Sequence, residues 1–321
     1  MPGTETRPFE PADVPAAGRL LAERHAAHRR AEPLLSPRFA DPAVAAAEVE
    51  AALADGASGA VAVDDGEVTG YLLGQRKASP VWGPNVWIES AGHAVRDAEV
   101  VRDLYAAAAP SWVEEGRDAH YVLVPATDRA LVDAWFRLGF GQQHVHGIRE
   151  VPDVEPAPPT RVKIRSAVRR DIPDLARLDV ALPAHQAMAP TFSAGEFPTL
   201  EEAVADWEES FDDEGFAYLV AERDGRVVGA AVGCALEKSS SHIGPARPDH
   251  AGFLGFAAVF PEFRGIGAGR ALGEAVLAWT AAEGFDCAVT DWRATNLLSS
   301  RTWPRLGFRP SFLRLHRHLG Y

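Results

Sequence analysis

The chain has 321 residues and a mass of 34.5 kDa, with 47% hydrophobic and 24% charged side chains, a composition that excludes disorder, collagen and coiled coil. Asp and Glu outnumber Lys and Arg by 45 to 32, and the net charge of −13 argues against a nucleic-acid or membrane-surface binder. Two cysteines, Cys234 and Cys287, with no CxxC or Cys/His zinc spacing predict no disulfide framework, no metal and a reducing cytoplasm; the polar N-terminus is no signal peptide, and no run approaches the ~18 apolar residues of a membrane span.

In chain order, a short strand leads into a helix at Asp13-Val14-Pro15, with Asp as its cap and Pro as its first residue. A variable helical segment follows, then two alternating apolar runs joined at Asp65-Gly66, which predict a β-hairpin. A third strand, a long helix, a fourth strand, a short helix and a terminal β-run complete the first half. The segment 151–163 holds four prolines and few apolar anchors, so it predicts an extended linker. Beyond it the order repeats: Asp171-Ile172-Pro173 answers Asp13-Val14-Pro15, Gly225 answers Gly66, and Phe308 answers Phe140. The expectation is two tandem α/β domains, each a mixed sheet with a central hairpin, spanning 1–150 and 162–321 with a Pro-rich linker at 151–161.

The most informative stretch is residues 252–285. Residues 252–259 are apolar and strand-like, Pro261 stops the strand, and the apolar period from Ala271 to Trp279 starts a helix near Gly267. Between them lies Arg264-Gly265-Ile266-Gly267-Ala268-Gly269-Arg270. Glycines let a backbone approach a ligand closely, and N–H groups at a helix N-terminus favour phosphate, so this loop reads as a pyrophosphate cradle with Arg264 and Arg270 as cationic flanks. It is not a P-loop, because no Lys-Ser/Thr follows, and not a Rossmann turn, because Arg270 stands where the third glycine is needed.

The pattern R-x-x-G-x-G after a strand ending V-x-P resembles the acetyl-CoA signature of the GCN5-related N-acetyltransferase (GNAT) superfamily. About thirty residues later, Asn296-x-x-Ser299 followed by Gly307-Phe308 is similar to that family's second motif. The tandem layout is similar to that of mycothiol synthase. The resemblance implies acetyl-CoA as cosubstrate and transfer of its acetyl group to an amine of a small molecule or peptide in a ternary complex. It implies coenzyme contacts from Ala257, Val259, the loop Arg264–Arg270, Asn296, Ser299, Ser300 and Trp303. Trp303 stands where the family often has a tyrosine proposed as general acid; indole cannot take that role, and Trp135 at the same place in the first half suggests packing. A longer acyl-CoA, or a sensor that binds the coenzyme without turnover, are the alternative readings, and monomer and homodimer stay open.

In the first half Val95-Arg96 is followed by Asp97 and Glu99 without paired glycines, and Asp128 stands where Asn296 stands, so that half is expected to keep the fold without the coenzyme. For a general base, Asp291 at the end of the next strand comes first and His185 in the Pro-rich segment 182–192 second; Glu237 and His242 are further candidates. His144/His146, His316/His318 and the helical pair His25/His28 read as solvated, and Cys287 as a small buried hydrophobe.

Overall fold

A computed structural model describes residues 5–79, 82–151, 161–193, 195 and 197–320 of the chain; most of the expected linker, 152–160, lies outside them. The first half runs β1 (Glu5–Pro8), α1 (Val14–Ala31), α2 (Pro42–Ala54), β2 (Ser58–Asp64), β3 (Glu67–Ser79), β4 (Gly83–Ile88), β5 (His93–Val95), α3 (Val100–Glu114), β6 (Ala119–Pro125), α4 (Arg129–Arg137) and β7 (Gly141–Glu150). The second half runs β8 (Lys163–Ser166), α5 (Ile172–Ala187), α6 (Leu200–Ser210), β9 (Phe216–Arg223), β10 (Arg226–Ala235), β11 (Ala251–Val259), α7 (Ala268–Ala282), β12 (Cys287–Arg293), α8 (Ser299–Arg305) and β13 (Arg309–His318).

The repeat extends to side-chain geometry. Both hairpins close on two residues with positive φ, Asp65 (48°) and Gly66 (79°) in the first and Asp224 (51°) and Gly225 (75°) in the second. That pairing matches the twist of the flanking strands. Asp13 and Asp171 differ from the expected helix cap: neither side chain caps its helix, and each proline is the second helical residue, after Val14 and Ile172. Each carboxylate instead accepts a two-pronged bond from the arginine of the preceding strand, Arg7 at 2.6 and 2.8 Å and Arg165 at 2.6 and 3.0 Å. It also accepts the backbone N–H three residues back, of Glu10 and Val168 respectively. An arginine fork offers a carboxylate more than a lone backbone donor does, so the strand's arginine takes the position a cap would have used.

The chain divides into two compact units. One holds the first half to Val145 with Ile243–Asp249 and Pro310–Tyr321; the other holds His146–His242 and His250–Arg309. The last strand of the chain is thus found in the first unit, where β13 pairs antiparallel with β6 from Phe312↔Pro125 to His318↔Ala119. In the first unit the sheet order is β1-β2-β3-β4-β6-β13, and in the second β7-β12-β11-β10-β9-β8. Both sheets are mixed: β4 runs parallel to β6 and β11 parallel to β12, while β2–β3 and β9–β10 are antiparallel. The first core gathers Leu20 and Leu21 of α1, Val49 of α2 and Tyr71 of β3; the second gathers Leu175 and Leu178 of α5, Trp207 of α6 and Val220 of β9. Among the described residues no helix is long and apolar enough to cross a membrane.

Several histidines expected on solvated faces are buried. His25 and His28 are 1% and 4% exposed, on the α1 face that packs inward; the His25 ring lies 2.8 Å from the Ser36 carbonyl oxygen, and burial lowers the His28 pKa to about 3. Cys287 is buried, as its neighbours predict, but it is the first residue of β12.

The Arg165 fork, above all, holds the Asp171 carboxyl below the usual carboxylate range. Its stabilisation is therefore complete above the unfolded-state value and disappears as the pH falls through the lower folded-state value. Asp171→Asn should cost about 1–3 kcal/mol near neutral pH, and the gap from the native chain should close in denaturant titrations repeated well below pH 4.

Candidate active site

The site is built where β11 leaves β12. The two strands pair in parallel only from Ala251↔Cys287 to Leu254↔Thr290. On its other edge β11 stays paired with β10 as far as Val259↔Gly229, but the register skips Gly255, which bulges out between Leu254 and Phe256. A bulge adds a residue and bends the strand, so β11 turns away from β12 at the point where their pairing ends. The N–H of Phe260 donates to Val228 of β10 at 3.0 Å. Alternate residues of a strand bond to the same side, so the N–H groups of Ala257 and Val259 face the opening.

The loop after β11 supplies the other wall. Gly265 (φ 81°) and Gly267 (φ 90°) are left-handed, and Gly267 immediately precedes α7. A Cβ on either would meet nothing within 4 Å, so backbone conformation and not crowding requires glycine there. A cavity of about 370 Å³ lies along this wall. It is lined by Ala257, Val259, Arg264, Gly265, Gly267, Ala268, Gly269 and Arg270, by Asn296, Ser299 and Trp303, and by His185. Ile266, Ser300 and Asp291 are off this lining, as are the further candidates Glu237 and His242. Ile266 sits between the two left-handed glycines, Ser300 is one helical step past Ser299, and Asp291 lies on β12. The sequence reading missed Thr302 and Arg305 of α8, and Ala181 and Leu182 of α5, all on the lining. Helical spacing from Ser299 and back from His185 is the signal that reaches them.

Loop and cavity fit a coenzyme pyrophosphate: the backbone is open to close approach, Arg264 faces the cavity, and Arg270 does so while donating to Glu274 at 2.7 Å. Asn296 is 6% exposed and its side-chain oxygen accepts from the N–H of Leu298 at 3.1 Å, which fixes the start of α8. Trp303 is buried and packs on α7, where a Cβ at Gly273 would come within 3.1 Å of its ring. The Pro-rich segment that carries His185 is helical there, because α5 continues through Pro183 at the loss of one backbone bond. Burial first, and then the nearby Arg264 guanidinium, lower the His185 pKa, while a hydrogen bond with Asn296 opposes them.

Residues 182–308 match the acetyltransferase (GNAT) family. The match makes this segment of the chain a GNAT domain. A GCN5-related N-acetyltransferase from Sphaerobacter thermophilus is similar over 99% of this chain and 96% of its own, at 16% identity and a TM-score of 0.59. The GCN5-related glucosamine N-acetyltransferase region of a fungal multi-domain β-N-acetylglucosaminidase is similar over 98% of this chain and 38% of its own, at 15% identity and a TM-score of 0.57. At such identities the likeness is one of fold. No curated protein matches the sequence.

The first unit carries the same fold with the corresponding slot filled. Its third strand is interrupted at 89–92 into β4 and β5, and the His93 ring lies 3.0 Å from the Leu123 carbonyl oxygen of β6. Arg24 of α1 donates to the carbonyl oxygens of Ser90 and His93, and Trp135 packs edge-on against His93 with centroids 5.9 Å apart. Burial lowers the His93 pKa to about 3, so the ring is a neutral strut between the strands.

Gly269 of the GNAT domain gives the cleanest test of the cavity. It has no left-handed φ, and a Cβ there meets only a Val259 methyl, at 3.7 Å. Gly269→Glu should leave the ligand-free melting temperature unchanged or raised, since a carboxylate in the first helical turn suits the helix dipole. It should abolish the stabilisation by acetyl-CoA, which at ~100 times the dissociation constant amounts to about 2.7 kcal/mol. Gly267→Ala, by contrast, should lower ligand-free stability by about 1 kcal/mol.

Proposed function

We propose that the chain is an N-acetyltransferase that moves the acetyl group of acetyl-CoA to an amine of a small molecule or peptide, by direct attack in a ternary complex. The observation that carries this reading is the left-handed glycine pair before α7, opening on a cavity that continues along the unpaired edge of β11. In this reading the N–H groups from Gly265 to Gly269 hold the pyrophosphate, and Arg264 and Arg270 supply cationic contacts. Asn296 and Ser299 flank the pantetheine arm. The N–H groups of Ala257 and Val259 polarise the thioester carbonyl and hold the oxyanion that forms on attack. Fixing amine and thioester together supplies much of the rate through orientation. Trp303 contributes packing and no proton. Departure of the sulfur as thiolate is chemically competent, since a thiol pKa lies near ~8.5.

The first unit, with His93 and Arg24 in its slot, takes no coenzyme in this reading. Titration calorimetry should therefore find one acetyl-CoA per chain, and two sites of similar affinity would refute it. Incubating the protein and acetyl-CoA with a polyamine, an aminoglycoside and a peptide with a free N-terminus, followed by mass spectrometry, tests the transfer. An acceptor gaining one acetyl group supports it. Coenzyme bound and recovered intact with every acceptor would make the protein a sensor. A panel of longer acyl-CoAs in the same assay reads the acyl preference.

A further inference from the structure

At the point of the opening, on β12 and away from the glycine loop, three titratable side chains of the second unit gather. Asp291 is the residue after Thr290, the last on β12 to pair with β11, and its side chain is 26% exposed. His242 enters from the loop after β10 and brings Nε2 to 3.9 Å from an Asp291 carboxylate oxygen, with its side chain only 1% exposed. The ring of His146, on β7, lies against that of His242 with centroids 4.2 Å apart, and Phe253 of β11 packs on its edge at 5.9 Å. His242 has a φ of 55° although it is not glycine, a conformation that costs energy and that the surrounding packing enforces. Phe253 and Asp291 are on one face of the sheet by strand period, and Arg293, two residues past Asp291, donates to Gln186 of α5 at 3.4 Å. The cluster therefore faces the α5 side of the sheet, to which His185 also belongs.

We propose that Asp291 and His242 form a proton-accepting dyad for the acceptor amine, with Asp291 as the catalytic residue that meets the ammonium group and His242 as the positioning residue buried behind it. This deepens the acetyltransferase reading and rests on it. A carboxylate alone is a weak base toward an ammonium ion, whereas an imidazole behind it gives the proton a place to go. One ammonium proton passes to the ionised Asp291 carboxylate and from there on to His242 Nε2, leaving an imidazolium–carboxylate pair. The freed nitrogen lone pair forms the new C–N bond at the thioester carbon, the C–S bond breaks, and the remaining surplus N–H proton ends on the departing sulfur. The imidazolium then returns its proton to water, so the balance is amide, free thiol and one proton. Among the described residues, Asp291 from β12 and His146 from β7 face His242, while β11 presents Phe253. Asp291 favours the imidazolium and a protonated His146 disfavours it.

The test uses the full chain with His242→Gln and Asp291→Asn. Neither residue lines the glycine-loop cavity, so both variants should bind acetyl-CoA within about twofold of the native protein by calorimetry. With an amine that the native protein acetylates, Asp291→Asn should lower kcat on the order of 100-fold or more, the scale of a lost general base. His242→Gln should lower kcat about tenfold or more and move the acidic limb of the kcat/KM profile, which a merely structural role would leave in place. Imidazole NMR titration needs no acceptor: the His242 ring should titrate, and Asp291→Asn should shift its midpoint down. A His242 ring that does not titrate between pH 4 and 9, or whose midpoint ignores Asp291→Asn, overturns the dyad. So do native kcat and pH limb in His242→Gln. If the native protein acetylates no amine, the acetyltransferase reading fails, and the NMR titration still decides whether the two groups are coupled.

Discussion

The parting of β11 from β12 after Leu254↔Thr290 is the constraint from which the rest of the site follows. Parallel strands in the middle of a sheet would satisfy each other's backbone groups to their ends. Here the Gly255 bulge bends β11 while β10 continues to hold it, so one edge of Gly255–Val259 is released and the other is kept. The released edge offers oriented N–H groups whose alignment is enforced by the kept edge. The glycine loop and α7 take their positions from the same bend, because Pro261 ends the strand and Gly267 starts the helix a few residues later. Asp291 owes its place to the same parting, as the residue of β12 that follows the last pair.

The two halves show what the fold requires and what the site requires. Both have the arginine–aspartate fork, the two-residue hairpin turn and a buried tryptophan in the helix after the fourth strand, Trp135 and Trp303. These recur because each stabilises the fold irrespective of ligand. The halves diverge at the slot. In the second, small residues and left-handed glycines keep the space open; in the first, His93 and Arg24 occupy it and turn their polar groups onto the carbonyls of neighbouring strands. Desolvating those groups is offset by the bonds they make, and what remains is a closed α/β unit.

The histidines mark where reading along the chain reaches its limit. Spacing put His144 and His146 on one strand face and His25 and His28 on a helix, and in isolation such positions are solvated. His25, His28 and His146 are buried because of what packs on them: the 36–39 segment covers His25, Phe312 lies against His28, and His242 covers His146. None of these partners is a near neighbour except the first, and even that one depends on the turn after α1.

By itself the sequence determined what is local. It fixed the repeat, the hairpin turns, the order of strands and helices, and the glycine loop between Arg264 and Arg270, because a left-handed φ can be held cheaply only by glycine and a proline ends a strand wherever it stands. The tertiary structure decided what depends on pairing between distant segments. It placed the last strand of the chain beside β6, set the bulge at Gly255, brought His242 to Asp291, and carried α5 through Pro183 so that His185 stands on a helical face. Register and burial are properties of pairs of segments, and a single strand of residues carries no record of its partner's end-point. For that reason the glycine loop could be read from the chain, while the groups proposed to serve the acceptor emerged only when β7, β11, β12 and the loop after β10 were seen together.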